Sequence, residues 1–133
     1  MSRYEEIDHT ADWAFRAYGS TLPELFENAA YALFALEGAL DARSTLTREL
    51  HVQGIDREAL LVNWLNELLF LQETKRETYQ KFHITKFSDT ALDATIHGAS
   101  AQPTTKLIKA VTFHDLKIEQ TPNGWQATIV VDV

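Results

Sequence analysis

The sequence predicts a single α+β domain in which two helices pack on one face of a mixed, largely antiparallel sheet. Three observations support this fold class. Two long stretches place apolar residues at helical spacing, and seven others are predicted strands, most of which alternate apolar and polar residues. The last four strands follow one another with no helix between them, and strands grouped apart from helices are typical of α+β folds. The 133 residues fit one domain, residues 1–133, with its own core.

The first part of the chain is predicted to contain two strands and a helix. Residues 3–7 (RYEEI) and 13–19 (WAFRAYG) are the strands, the second because it alternates apolar and polar positions. The helix is predicted from Thr21 to Glu37, because a T-x-x-E capping box opens it and a glycine follows its last apolar turn.

A third strand and a second helix follow. Residues 45–54 (TLTRELHVQG) alternate and end on a glycine, and Asp56 is a good N-cap for a helix over 57–77. That helix carries an apolar stripe that predicts a core-facing surface, widened by Phe70 and Leu71. The stripe consists of Leu60, Leu61, Trp64, Leu65, Leu68, Leu69 and Gln72.

Four strands are predicted to complete the chain, at 78–89, 90–98, 105–120 and 124–133. The last two flank TPNG, and Asn-Gly is the strongest short signal for a β-hairpin. A hairpin here would hold the chain terminus inside a sheet instead of leaving it frayed.

The composition limits the kinds of partner and compartment. The net charge is −7, from 12 basic and 19 acidic residues, and no basic run interrupts it. RNA or DNA binding by the chain alone is therefore disfavoured, whereas divalent cations or a basic protein surface fit. There are no cysteines, which excludes disulfides and thiolate metal sites. With no signal-like or membrane-spanning segment, a cytoplasmic location with no membrane contact is expected.

Two acidic spots are candidates for a metal site. Asp132 stands beside the α-carboxylate of Val133, and DHTAD (8–12) includes Asp12 and His9. Carboxylate oxygens suit hard cations such as Ca²⁺ and Mg²⁺, and His9 could add a nitrogen for Mn²⁺ or Zn²⁺. Simpler explanations exist for both spots. Asp132 fits a solvated strand end, and DHTAD fits a tight turn.

Recognisable catalytic motifs are missing. The chain has no glycine-rich phosphate loop, nucleophile elbow or H-E-x-x-H, so no catalytic and no cofactor-binding residue is assigned. The alternative function is a metal-dependent phosphohydrolase with a metal-bound water. Such an enzyme needs a positioned base and a phosphate clamp, and the sequence offers only His9 and Arg16 near the acidic spots.

Five blocks, in this order along the whole chain, closely resemble the archease family. They are YEEIDHTAD, AYGSTLPELFENAAYALFAL, LLVNWLNELLFLQE, IKAVTFHDLKIE and GWQATIVVDV. The resemblance implies a two-layer α+β sandwich. It also implies a non-enzymatic cytoplasmic protein that activates an RtcB-type RNA ligase, an enzyme of tRNA splicing and RNA repair that uses GTP and Mn²⁺. The activator would promote guanylylation and turnover of the ligase, and it would meet tRNA only through the ligase.

The resemblance also connects the two acidic spots. In the family, the aspartate closing the DHTAD block, the aspartate next to the C-terminus and the terminal carboxylate surround a divalent metal. The corresponding residues are Asp12, Asp132 and Val133. The resemblance therefore implies one site for Ca²⁺, Mg²⁺ or Mn²⁺, built from the two ends of the chain.

Overall fold

In a computed structural model, the described part of the chain comprises residues 2–7, 13–38, 43–100 and 108–133. Its elements confirm the predicted α+β class and the predicted order of strands and helices. They are β1 (Tyr4–Ile7), β2 (Trp13–Gly19), α1 (Leu22–Leu36), β3 (Leu46–Gln53), α2 (Arg57–Lys75), β4 (Glu77–Phe87), β5 (Ala91–Ser100), β6 (Ala110–Thr121) and β7 (Gly124–Asp132).

The strands form two antiparallel sheets in place of the one mixed sheet that the sequence suggested. The first sheet has the order β1-β2-β7-β6, and the second has the order β3-β5-β4. Alternation along a strand shows which residues share a face, but it does not show which strand lies next to it. The division into two sheets is therefore a property of the packed structure.

Both helices contact both sheets, and polar side chains mark these contacts. In α1, Asn28 donates from Nδ2 to the backbone oxygen of Tyr18 in β2 at 2.7 Å. One residue earlier, Glu27 accepts a 2.8 Å hydrogen bond from the backbone N–H of Ile84 in β4. The second helix does the same through Asn63, which bonds β3, and Asn66, which bonds β6. The helical layer thus joins the two sheets.

Both helices begin where the sequence predicts. Thr21 accepts a hydrogen bond from the Glu24 backbone N–H at 3.3 Å, and Asp56 accepts one from the Ala59 backbone N–H at 2.8 Å. The Glu24 side chain accepts from the backbone N–H of Ser20, one residue before the position expected in a capping box. Each cap satisfies donors that the first turn of a helix leaves free.

The two strand-to-helix joints have the same construction. Gly19 ends β2 and Gly54 follows β3, and each stands two residues before the N-cap of the next helix. A Cβ on Gly19 would lie 2.3 Å from the backbone nitrogen of Leu25, and a Cβ on Gly54 would lie 2.5 Å from that of Leu60. Each helix therefore rests directly on the backbone of its strand, and any side chain at these positions would separate the two.

The core lies between the helices and the sheets, and all seven residues of the predicted α2 stripe are buried. Trp64 is its largest fully buried side chain, and its indole N–H donates to the backbone oxygen of Phe26 at 3.0 Å. Phe70, predicted to widen the stripe, is instead 56% exposed. No helix in the described ranges is long and apolar enough to cross a membrane.

Candidate metal centre at the chain terminus

The predicted hairpin forms and places the chain terminus inside a sheet. Thr121 pairs with Gly124 across a two-residue loop, and β7 then runs between β2 and β6. At its far end Val131 pairs with Trp13, and Asp132 pairs with Ala110. Because β7 has a neighbour on each side, the backbone that carries the last two carboxylates is held by two strands.

One further hydrogen bond holds the last residues of β7. The backbone N–H of Lys109 donates to the backbone oxygen of Asp132 at 2.7 Å. Both Asp132 and Val133 are exposed. The Asp132 carboxylate makes no salt bridge or side-chain hydrogen bond to any residue in the described ranges. The backbone is thus anchored while the carboxylates face solvent.

The third predicted ligand, Asp12, lies outside the described residues, as does His9. Trp13, the residue after Asp12 in the chain, is the register partner of Val131, the residue before Asp132. Within the part of the chain that the structure describes, no group of three or more His, Asp or Glu side chains could hold a metal ion. Of the predicted ligands, the structure therefore describes Asp132 and Val133, and the three-ligand set stays a prediction.

The donor chemistry at the terminus fits a hard divalent cation. Two neighbouring carboxylates supply anionic oxygens, which Ca²⁺, Mg²⁺ and Mn²⁺ prefer, and solvent can complete the coordination shell. Both residues are exposed, so water can reach them, and such ions commonly keep several waters. Asp132 and the Val133 carboxylate would hold the ion, which would act there as a compact positive charge.

A buried glutamate supports the segment that anchors the terminus. Glu37, the C-cap of α1, is 5% exposed and accepts hydrogen bonds from the backbone N–H of Ile108 at 2.8 Å and from Gln72 Nε2 at 2.9 Å. Ile108 precedes Lys109, whose N–H bonds the end of β7. Burial raises the pKa of the Glu37 carboxyl above its usual range, and the two hydrogen bonds oppose that rise.

This raised pKa makes a prediction about stability. A carboxyl whose pKa is higher in the folded than in the unfolded chain binds protons more readily when folded. Stability is therefore lost as the pH rises from the ordinary carboxyl value, about 4.3, through the raised one. We expect the free energy of unfolding of the wild type, minus that of Glu37→Gln, to fall across this window and then level off. Urea titrations from about pH 4 to about pH 8 measure it, and a constant or rising difference would contradict the assignment.

The described histidines are dispersed, and each is engaged with a different neighbour. His51 contacts Asp93 on the outer face of the second sheet, and His97 contacts Thr47 there. His114 lies 3.2 Å from Asp115 in β6. None of these pairs belongs to a larger group of potential metal ligands within the described ranges.

Sequence reasoning missed a buried ionic cluster on the second sheet. Arg48 donates from Nε and Nη2 to the two carboxylate oxygens of Glu77 at 2.6 and 2.7 Å, and the Tyr79 hydroxyl donates to the same carboxylate at 2.7 Å. Arg48 holds the pKa of Glu77 below its usual range, and burial raises the pKa of Tyr79. The sequence feature that could have indicated this cluster is an arginine, Arg48, at an inward position of β3. Each group is satisfied by the others, so the cluster is structural.

A cavity of about 340 Å³ lies at the opposite end of the first sheet. It is lined by Ser2, Glu5, Tyr18, Gly19, Thr121, Asn123, Trp125 and Gln126. The pair Gly19–Trp125 at this cavity is six residues along the strands from the pair Trp13–Val131 near the terminus. At about 3.3 Å per residue this is about 20 Å, so the cavity and the terminal carboxylates are separate features.

The single arginine considered for a phosphate clamp is engaged elsewhere. Arg16 donates from Nε to the Thr128 hydroxyl at 3.1 Å and from Nη1 to the Glu5 carboxylate at 3.3 Å. Thr128 is four residues before Asp132 on β7, about 13 Å along the strand. Arg16 is thus neutralised by an acid at a distance from the terminal carboxylates, which does not favour a hydrolase.

Comparison with known proteins gives matches along nearly the whole chain. The model of the Archease protein family (MTH1598/TM1083) matches residues 4–133. Protein archease of Methanosarcina acetivorans is 37% identical over 142 aligned positions, covering 98% of this chain and 96% of the relative. Protein archease of Pyrococcus abyssi is 36% identical, with 100% of both chains covered.

Solved structures of similar proteins share the fold. The solution structure of Methanobacterium thermoautotrophicum protein 1598 superposes with a TM-score of 0.79 at 33% identity and covers 100% of both chains. The crystal structure of a Thermotoga maritima protein described as an archease and possible chaperone gives a TM-score of 0.71 at 26% identity, covering 96% of this chain and 94% of that one.

Proposed function

Because the chain belongs to the archease family, we propose that it is a metal-binding activator of an RtcB-type RNA ligase. In this role it promotes guanylylation and turnover of the ligase in tRNA splicing or RNA repair. It is an accessory protein of the cytoplasm without catalysis of its own. Its partner is the ligase, and tRNA is met only through that partner.

The observation that carries the proposal is the pair of carboxylates at the end of β7. Asp132 and Val133 are exposed, yet the backbone just before them is paired with β2 and β6 at Val131, and Lys109 bonds the backbone of Asp132. A binding site that is rigid and open to solvent can accept a cation, and it can also face a second protein that uses the same cation. With Asp12 as the third ligand, three carboxylates would supply a charge of −3, which exceeds the charge of a divalent ion and would favour its binding.

The charge balance supports a protein partner over direct RNA binding. A net charge of −7 repels the phosphate backbone, which supplies most of the affinity in non-specific RNA binding. An RNA ligase needs a basic surface for its own substrate. An acidic protein is therefore electrostatically suited to contact the ligase and not its RNA.

The test is a multiple-turnover ligation assay. An RtcB-type ligase, GTP, Mn²⁺ and RNA with 2′,3′-cyclic-phosphate and 5′-hydroxyl ends are incubated with and without this protein. We expect product to exceed the number of ligase molecules only when the protein is present, and guanylylated ligase to form faster. The protein alone should neither ligate RNA nor hydrolyse phosphate esters.

Asp132→Asn is the matched control, since it keeps the shape of the side chain and removes its charge. It should give markedly less stimulation than the wild type at equal concentration. Unchanged ligation in the presence of the wild-type protein would refute the proposal. Hydrolysis of a phosphate ester by the isolated protein, abolished by Asp132→Asn, would favour the metal-dependent phosphohydrolase.

A further inference from the structure

Most of the exposed large apolar side chains are found near the chain terminus. Among the described residues these are Ile55, Phe70, Phe113 and Val133, with exposed fractions of 90, 56, 59 and 59%. Three of them, Phe70, Phe113 and Val133, lie on the elements that meet at Val111, whose own side chain is buried. Single exposed apolar residues are ordinary, but three on neighbouring elements indicate a binding surface.

Val111, in β6, contacts both β7 and α2. It pairs with Val131, which is two residues before Val133. Its backbone N–H donates to Asn66 Oδ1 at 2.8 Å, and its oxygen accepts from Asn66 Nδ2 at 3.1 Å. Phe70 follows Asn66 by one helical turn, and Phe113 follows Val111 by two residues. Each exposed residue thus begins within about 7 Å of the Val111 contacts, with Val133 and Phe113 on opposite sides of Val111 and about 13 Å apart along the strand.

The direction of α2 places Phe70 toward the terminus. The Glu37 carboxylate accepts hydrogen bonds from Gln72 of α2 and from the backbone N–H of Ile108. Asn66, earlier in α2, is bonded to Val111. The later part of α2, near Gln72, therefore lies beside Ile108, which is three residues before Val111 in the chain. Phe70 lies between these two contacts, beside the segment that bonds the end of β7.

Phe113 projects from a bulge in an edge strand. Thr112 pairs with Val130 and Lys117 with Thr128, so four residues of β6, Phe113 to Leu116, stand opposite Ile129 alone. Within this bulge Asp115 has a φ of 54°, in the left-handed region that costs a non-glycine residue free energy. Bulges re-aim side chains and twist an edge strand away from the regular ladder. Here the strained bulge coincides with the most exposed phenylalanine described.

The charges around these apolar residues are mainly negative, although Lys109 also lies beside the end of β7. Asp132 and the Val133 carboxylate lie at the end of β7, Asp115 is 68% exposed at its side chain, and α2 adds Glu67 and Glu73 on the turns that flank Phe70. Apolar anchors set among like charges are complementary to a basic surface that contains apolar pockets. A nucleic acid would be repelled by the same charges.

We propose that Phe70, Phe113 and Val133 form a protein-docking surface around the terminal carboxylates. Its occupant is a basic protein surface with apolar pockets, and this inference rests on the proposed function, in which that surface belongs to the RNA ligase. The phenylalanines act as anchors that lose water on binding. The terminal carboxylates, with any metal they hold, then face the partner at one side of the contact.

The test compares binding of wild-type protein, Phe113→Ser, Phe70→Ser and the double variant to an RtcB-type RNA ligase by calorimetry. Truncating a central apolar anchor typically costs a factor of ten or more in affinity. We expect each single variant to bind at least about 10-fold more weakly and the double variant about 100-fold more weakly. Thermal unfolding should be nearly unchanged, because both side chains are exposed.

Ile55→Ser is the control. Ile55 is more exposed than either phenylalanine, but it precedes α2 and is eleven residues, about 16 Å, from Asn66. Its variant should bind like the wild type. Mn²⁺ titrations of all variants without the ligase should also match the wild type, since the proposed ligands are intact.

Three outcomes would overturn the inference. Normal ligase binding by the double variant would place the contact elsewhere and leave the proposed function standing. No binding and no stimulation by the wild type would refute both. Concentration-dependent self-association in sedimentation experiments, lost in the double variant, would identify a second copy of this chain as the occupant.

Discussion

Moving the terminal carboxylate by one residue is expected to weaken Mn²⁺ binding by at least 10–100-fold. Adding a residue after Val133 keeps a carboxylate but displaces it by about 3.4 Å along the strand. A metal–oxygen bond of about 2.0–2.6 Å cannot span that displacement. The backbone cannot slide back to compensate, because Val131 and Asp132 are paired with β2 and β6.

The expected loss of affinity is estimated from substitutions of groups that support a metal ligand without binding the metal. Removing a group that only orients a ligand typically costs 10–100-fold in affinity, so removing a ligand should cost at least ~1.4–2.8 kcal/mol. Asp132→Asn should have a similar effect by removing the negative charge. Asp12→Ala tests the third predicted ligand in the same way.

Calorimetric titration with Mn²⁺ and with Ca²⁺ measures these affinities, and Val133→Ile is the control. That substitution leaves the α-carboxylate in place, and the side chain of Val133 is 59% exposed, so binding should be nearly unchanged. If the extended chain binds as tightly as the wild type, the terminal carboxylate is not a ligand. If all the ligand variants also bind normally, there is no metal site at this position.

Replacing Trp64 by alanine is expected to destabilise the fold by about 3–5 kcal/mol. The side chain is fully buried and its ring centroid is 6.4 Å from that of Phe82 in an edge-to-face arrangement. Truncation leaves a cavity between α1, α2 and β4, and it removes the hydrogen bond to the backbone oxygen of Phe26. Small domains are commonly stable by only about 5–15 kcal/mol, so the variant should be only marginally folded.

Denaturant titration followed by far-UV circular dichroism measures this loss, with Phe70→Ala as the control. Phe70 is on the same helix but 56% exposed, so its truncation should change the free energy of unfolding by less than about 0.5 kcal/mol. A loss below about 1.5 kcal/mol for Trp64→Ala would mean that the three elements close around the cavity. The indole would then contribute little to the free energy of unfolding.

The sequence alone determined the features that depend on residues close together in the chain. The helix starts at Thr21 and Asp56 were predictable because an N-cap acts on amides two or three residues ahead. The buried stripe of α2 follows from a period of 3.6 residues, and the final hairpin follows from its turn residues. Because that hairpin pairs the last residues of the chain, the placement of Asp132 at the end of a paired strand follows from local sequence as well.

Tertiary packing decided the features that depend on which elements meet. The division of seven strands into two sheets was not predictable, because alternation specifies the faces of a strand but not its neighbours. The ion pair of Arg48 and Glu77 joins residues 29 positions apart, so the inward position of Arg48 indicates that it has a partner but not which acid that partner is. The arrangement of Phe70, Phe113 and Val133 on the three elements that meet at Val111 likewise appears only after α2 and β7 pack beside β6. A local sequence pattern reflects contacts between residues that are close in the chain. A surface made by three elements depends on the core packing that brings those elements together.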